Sequence, residues 1–191
     1  LSTITVKGGT ADQKAIFYTA LYHMQIHPNI FSDVNGQYPA MESFEIKKRK
    51  NGERYTVFSL WDTYRNLHPF LSLAFPQQQL NVVSSMIEMY DESGWLPRWE
   101  LNSTETHVME GDPAIPVIVD TYLRGIKNFD INKAYEGMRK SATTAGTKNK
   151  LRPDIDHYLS HGYVPLEKEF DNSVSHALEY YIADWNLAQI A

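Results

Sequence analysis

Apolar residues recur at helical spacing along most of the chain. Phe17, Ala20, Leu21 and Met24 stripe a helix expected over residues 11–26, ended by Pro28. Leu67, Phe70, Leu71 and Ala74 stripe a second, whose regular part is expected to begin at Pro69. Leu80, Val83, Met86, Ile87 and Tyr90 stripe a third, opened by Pro76 at its first position and closed near Gly94. Over 113–126, Ile115, Val117, Ile118, Val119, Tyr122 and Leu123 cover nearly every side, the pattern of a helix packed all round. Asp130 caps a helix striped by Ile131, Ala134, Tyr135 and Met138, and residues 141–150 read as a polar linker. A short helix is expected over 154–161. The last, over 174–190, carries Val174, Ala177, Leu178, Tyr181, Ile182, Trp185 and Ala188.

Between the first two helices the period changes. Residues 42–58 read as a β-hairpin turning at Asn51-Gly52, with Lys47-Lys48-Arg49-Lys50 at its solvated tip. The chain is therefore mainly helical, with helices of roughly three to five turns, one inserted hairpin and no internal repeat. Alternate connections are rich in Trp, Asp, Glu and Arg. In an array of helical hairpins such connections lie at one end, so function would gather there.

Composition adds bounds. A length of 191 residues fits one domain or part of a larger one, and 42% hydrophobic content is enough for a core. Twelve Tyr and four Trp suit carbohydrate binding but equally suit an ordinary core. Net charge is −5 with no basic face, which argues against nucleic acid as a partner. The absence of cysteine excludes a disulfide framework and thiolate chemistry. No apolar run approaches membrane-span length and no signal peptide is visible. The chain opens at Leu1 rather than Met, and its last helical pattern meets Ala191 without a stop signal, so a piece of a longer polypeptide is expected.

Three features carry candidate chemistry. Trp61, Asp62, Tyr64 and Arg65 crowd the mouth of a helix. An indole face with a carboxylate and a guanidinium is what a sugar ring and its hydroxyls need. The plainer reading is a helix start with a local Asp62–Arg65 pair and a core Trp. Glu179 lies about 130° from the centre of its helix's apolar stripe at 100° per residue. It would face the cavity of a double-layered helical barrel, or simply be a solvated carboxylate near a helix N-terminus. His157 and His161 have the spacing of two metal ligands, but Tyr158 follows His157 and the zinc-protease motif is absent. Asp33, in the loop over 31–36, reads on its own as a turn residue. Asn102-Ser103-Thr104 fits a glycosylation sequon, meaningful only in a eukaryotic secretory setting.

A set of ordered segments resembles glycoside hydrolase family 92. They are 17–23, Pro28 with Ser32-Asp33-Val34-Asn35-Gly36, 58–65 with its Trp-Asp-Thr-Tyr-Arg run, 94–99, Gly162-Tyr163-Val164-Pro165, and 173–185 with Leu178-Glu179-Tyr180 and Asp184-Trp185. The resemblance implies calcium-dependent, exo-acting, inverting α-mannosidases, often acting on α-1,2 linkages in N-glycan degradation. It implies an N-terminal β-sandwich followed by an (α/α)6 toroid of helical hairpins. Residues 1–191 would form about the first half of that toroid. The sandwich would lie upstream, and the base and most calcium ligands downstream.

Carried over by residue, Glu179 is implied as the general acid, and Asp62 and Arg65 as residues holding mannose in the −1 subsite. Trp61 and Trp99 join them as sugar-binding aromatics, Asp33 as a neighbour, and Asp112 as a contact for the leaving sugar. No metal ligand is assigned within the chain. The resemblance also implies a periplasmic, secreted or cell-surface location, and mannose-containing glycans as partners. The 191 residues alone would carry the acid but not the base and be inactive, and their open edge could self-associate. A barrel glycosidase of other sugar specificity and a non-catalytic carbohydrate-binding piece are the alternatives.

Overall fold

The computed structural model describes residues 2–166 and 172–191. It is mainly helical. The helices are α1 (Ala11–His23), α2 (Leu60–Thr63), α3 (Leu67–Ala74), α4 (Pro76–Ser93), α5 (Ala114–Leu123), α6 (Ile131–Thr143), α7 (Ile155–His161) and α8 (Ser173–Ala188). No helix among the described residues is long and apolar enough to cross a membrane. The strands are short: β1 (Asn29–Ile30), β2 (Gln37–Pro39), β3 (Ile46–Lys48), β4 (Tyr55–Thr56), β5 (Phe58–Ser59), β6 (Trp99–Leu101) and β7 (Thr104–Glu105).

The core forms where α4 meets α5. Val82, Val83, Met86, Met89, Ile115, Ile118 and Val119 are sealed from solvent there. The expected boundaries of α4 hold: Pro76 opens it, and Gly94, in the left-handed region at φ +80°, closes it. Asp130 caps α6 by accepting from the Lys133 N–H, as its sequence signals. The near-continuous apolar surface of α5 is matched by burial of every residue from Ala114 to Val119.

Several expectations are corrected. The hairpin at Asn51-Gly52 does not form. β3 pairs antiparallel with β2, and β4 with β1, so the two arms belong to different sheets. The reason is ionic. Glu88 and Glu92 on α4 draw Arg49 (3.0 Å to Glu88) and Arg54 (2.8 Å to Glu92, 3.0 Å to Glu88) onto the helix. Arg49 is thereby drawn inward while Lys47, Lys48 and Lys50 stay exposed, and the turn rests on α4: a Cβ on Gly52 would sit 2.3 Å from Asn81 Oδ1. The stripe expected on α1 is barely used. Leu21 is buried and Met24 half-buried, whereas Phe17 and Ala20 are exposed. Pro69 does not start α3, which begins at Leu67. The linker expected from 141 is helical through Thr143, with Ser141 and Ala142 buried.

α8 is turned relative to expectation. Ser173, Ala177, Tyr180 and Ala183 face inward. Val174 (71%), Leu178 (56%) and Trp185 (64%) face outward. A third sheet, β5-β6-β7, was not anticipated. Its two antiparallel pairings set Ser59 opposite Trp99 and join β6 to β7 through a turn with Asn102 and Ser103 both at positive φ.

Candidate active site

The segment from Phe58 to Arg65 is anchored in the core at its start and on α8 at its end. Phe58 and Leu60 are buried in the core, and burial of such a side chain stabilises by roughly 1.5–3 kcal/mol. Just before them, Val57 has φ +64°, a strained conformation for a β-branched residue. The Glu100 carboxylate holds it there. It accepts from the Val57 N–H (3.0 Å), Thr56 Oγ1 (2.7 Å) and the Ser103 N–H (2.5 Å). Burial pushes the Glu100 carboxyl above its ordinary range against the pull of these donors. The kink directs α2, a single turn, so that Trp61, Tyr64 and Arg65 reach α8.

Glu179 is where they arrive. Trp61 Nε1 donates to its Oε1 at 3.2 Å, Arg65 Nη2 to the same oxygen at 3.1 Å, and Tyr64 Oη to Oε2 at 3.3 Å. The Arg65 guanidinium lies 5.0 Å from the Trp61 ring centre and 4.6 Å from that of Tyr64, a cation–π pairing with both. Burial, then the neighbouring Glu179 charge, raises the Tyr64 hydroxyl above its ordinary pKa. All three partners donate to the Glu179 carboxylate, and of them the Tyr64 hydroxyl can also accept.

The rear of α2 is held by a buried histidine. His68 Nε2 lies 2.9 Å from Thr63 Oγ1, and its Nδ1 lies 3.1 Å from Gln79 Oε1. Gln79 Nε2 donates to Thr121 Oγ1, which donates to the Val117 carbonyl. Gln79 therefore presents its oxygen to His68, placing the proton on Nδ1 and leaving Nε2 as an acceptor that shares the one Thr63 hydroxyl proton with the Ser59 carbonyl, 3.1 Å from Thr63 Oγ1. Complete burial lowers the His68 pKa to about 4.

The expected site residues divide. Glu179, Trp61 and Arg65 meet directly. Asp62 is exposed beside them, accepting from Ser59 Oγ at 2.5 Å. Trp99 is one strand away, half-buried, with its Nε1 lacking an acceptor among the described residues. Asp33 is exposed, its backbone closing the turn with Gly36 and Gln37, and no contact joins it to Glu179. Asp112 is not exposed as a ligand contact would be: its side chain is buried, accepting from Ser141 Oγ and from Arg152 Nε at 3.4 Å. His157 and His161 stack on one another, 6.2 Å between ring centres.

Sequence reasoning passed over Gly111 and the ionic group beneath α8. A Cβ on Gly111 would lie 2.6 Å from Glu179 Cβ. Arg152, fully buried, pairs with Asp112 and comes within 2.8 Å of Asp184 Oδ1, without the angles of a hydrogen bond. Asp154 accepts from Tyr180 Oη (2.6 Å) and contacts His176 Nδ1 (2.7 Å). Burial alone would raise the Asp154 carboxyl, but the His176 and Tyr180 hydrogen bonds hold it below its ordinary range. The Gly in Met-Glu-Gly-Asp-Pro was the one available signal.

A calcium site needs several oxygen ligands. Among the described residues no three His, Asp or Glu side chains converge to hold a metal ion, so these residues do not fit one.

Comparison with known proteins places the chain. It resembles the family GH92 alpha-mannosidase BT3965 from Bacteroides thetaiotaomicron, with 36% identity and a TM-score of 0.87, over 98% of this chain and 25% of that one. Against the same protein in complex with mannoimidazole the values are 38% and 0.83, over 93% and 23%. The inverting mannosidase BT2199 of Bacteroides thetaiotaomicron VPI-5482, also of family GH92, matches at 30% and 0.88, over 98% and 26%. The chain thus spans about a quarter of the length of these solved relatives. No curated protein matches it. The family model described as the glycosyl hydrolase family 92 catalytic domain matches residues 1–191, and the chain belongs to that family.

Proposed function

We propose that the protein carrying this chain is an exo-acting α-mannosidase that hydrolyses terminal mannose with inversion, on α-1,2-linked glycans, and that Glu179 is its general acid. The observation supporting this is the convergence of Trp61, Tyr64 and Arg65 on the Glu179 carboxylate. The group combines an aromatic face, a guanidinium and a carboxyl group. Asp62 lies next to it with an exposed carboxylate for sugar hydroxyls.

In the step assigned to Glu179, its proton passes to the glycosidic oxygen as the bond from C1 to that oxygen breaks. Water adds to C1 from the opposite face and gives its proton to a second carboxylate, roughly 6.5–9.5 Å from the first. That base, and calcium ligands to grip vicinal hydroxyls, are assigned to the part of the relatives' length that this chain does not match. On the same reading residues 1–191 are the early portion of an (α/α)6 toroid in a secreted, periplasmic or cell-surface enzyme.

The test follows α-1,2-mannobiose by proton NMR with the full-length protein and its Glu179→Gln variant. Initial release of β-mannose, lost in the variant while binding persists, is the expected result. No cleavage by the folded protein would overturn the mannosidase reading. Cleavage of other glycosides instead would redirect the specificity, and binding without any cleavage would leave a carbohydrate-binding module.

A further inference from the structure

We propose that the turn at residues 110–112 is the seat of Glu179 and that Gly111 is a positioning residue for its carboxylate. The inference rests on the reading of Glu179 as the acid.

Gly111 has φ +77° and lies against the side chain of Glu179. An added Cβ would stand 2.6 Å from Glu179 Cβ, 3.2 Å from Cγ and 3.5 Å from Oε2. The nearest of these atoms is fixed to the α8 backbone and cannot swing aside. Met109, at φ +63°, shares the left-handed conformation, and its carbonyl accepts from Arg98 Nη1 at 3.1 Å.

The turn is tied to α8 on both sides of the acid. On the N-terminal side, Glu110 Oε1 lies 3.9 Å from His176 Nε2, and His176 Nδ1 lies 2.7 Å from Asp154. His176 is three residues before Glu179, on the same face of the helix. On the C-terminal side, Asp112 pairs with Arg152, and Arg152 reaches Asp184, five residues past Glu179. Arg152 also lies 4.7 Å over the ring of Tyr180. The buried Asp112–Arg152 pair, the Glu110–His176 contact and the close approach of Gly111 therefore set how far the carboxylate projects toward Arg65 and Trp61. Proton donation to a leaving oxygen is sensitive to that distance on the scale of an ångström.

The experiment uses leaving groups as the readout. Departure of an alkoxide from mannobiose needs a proton, whereas 2,4-dinitrophenolate leaves an aryl α-mannoside without one. In the full-length protein, Gly111→Ala is expected to lower kcat on mannobiose about 100-fold, with KM within about threefold. On dinitrophenyl α-mannoside it should lower kcat by less than about threefold. Gly125→Ala is the control for backbone strain, because Gly125 has φ +94° with no atom within 4 Å of its Cβ. It should leave both substrates unaffected.

Should Gly111→Ala not fold, Glu110→Ala releases one tie without adding atoms and is expected to show the same selectivity at roughly tenfold. An equal fall on both substrates, or no fall in a folded variant, overturns the proposal. Glu179→Gln run alongside separates the two readings. If it lacks the leaving-group selectivity, the acid assignment fails. If it shows the selectivity and the turn variants do not, only the seat fails.

Discussion

Arg65 Nη2 lies 3.1 Å from Glu179 Oε1 and joins two segments separated by 114 residues. Its guanidinium is about half exposed and stacks against Trp61 and Tyr64. A contact of this exposure contributes little to stability, less than about 1 kcal/mol. Arg65→Ala is therefore expected to leave the unfolding midpoint nearly unchanged while raising KM for a mannoside about tenfold. Arg65→Lys should recover only part of that loss, because a lysine lacks the planar group that stacks. Steady-state kinetics beside thermal unfolding checks both. An unchanged KM would remove Arg65 from the sugar site.

His68 makes stability depend on pH with a definite sign. Its folded pKa is about 4, against 6.5 for the ordinary side chain. Between these values the unfolded chain binds more protons, so stability rises with pH across that window and is lost on acidification. A shift of this size corresponds to about 3 kcal/mol. Urea unfolding at pH 4 and pH 7 should show His68→Gln much less sensitive to acid than the parent. Equal sensitivity would mean other groups govern the acid response.

Arg54 is sealed in the fold against Glu92, with Glu88 on its other side. Removing one member of a buried pair leaves an uncompensated charge and costs about 3–5 kcal/mol. Arg54→Ala is expected to destabilise by that amount, measured by denaturant unfolding. Exchanging Lys48 or Lys50, both exposed, should change stability by less than about 0.5 kcal/mol.

Leu60 couples the core to the site. It is fully buried, and the next residue is Trp61. Leu60→Ala opens a cavity at a cost of about 2–5 kcal/mol. The expected signature is a fall in stability together with a change in the fluorescence of Trp61. An unchanged Trp61 signal would show that the indole is placed by Glu179 alone.

Local signals in the sequence were read reliably where one residue type decides the outcome. Pro76 and Gly94 fix the ends of α4, and Asp130 caps α6, because each acts within its own turn. The hairpin failed for the opposite reason. Asn51-Gly52 is a strong turn signal, but the partners of Arg49 and Arg54 lie more than thirty residues away on α4. Orientation of α8 was hidden too. Its apolar stripe is exposed here except at Ala177, and the helix is held by Ala177 together with Tyr180, Ala183 and the ionic group around Arg152. At the site, Glu179 and the Trp-Asp-Thr-Tyr-Arg segment could be linked only through the family resemblance. Neither periodicity nor spacing relates residues 61 and 179. Asp112, an acidic residue in a glycine-containing loop, looked available for a ligand, and its burial depends on Arg152, forty residues further on.

The distance along the chain between Trp61 and Glu179 also orders events during synthesis. The α4–α5 core draws only Ala183 from α8 among its buried members. Most of that core is therefore complete in sequence before Glu179 has been translated. At bacterial or eukaryotic elongation rates, the 114 residues from Arg65 to Glu179 take roughly 6 to 23 s to make. For that interval Trp61, Tyr64 and Arg65 emerge without their carboxylate. A nascent chain in this state carries the aromatic and cationic half of the cluster without the α8 carboxylate that its three donors meet in the folded structure.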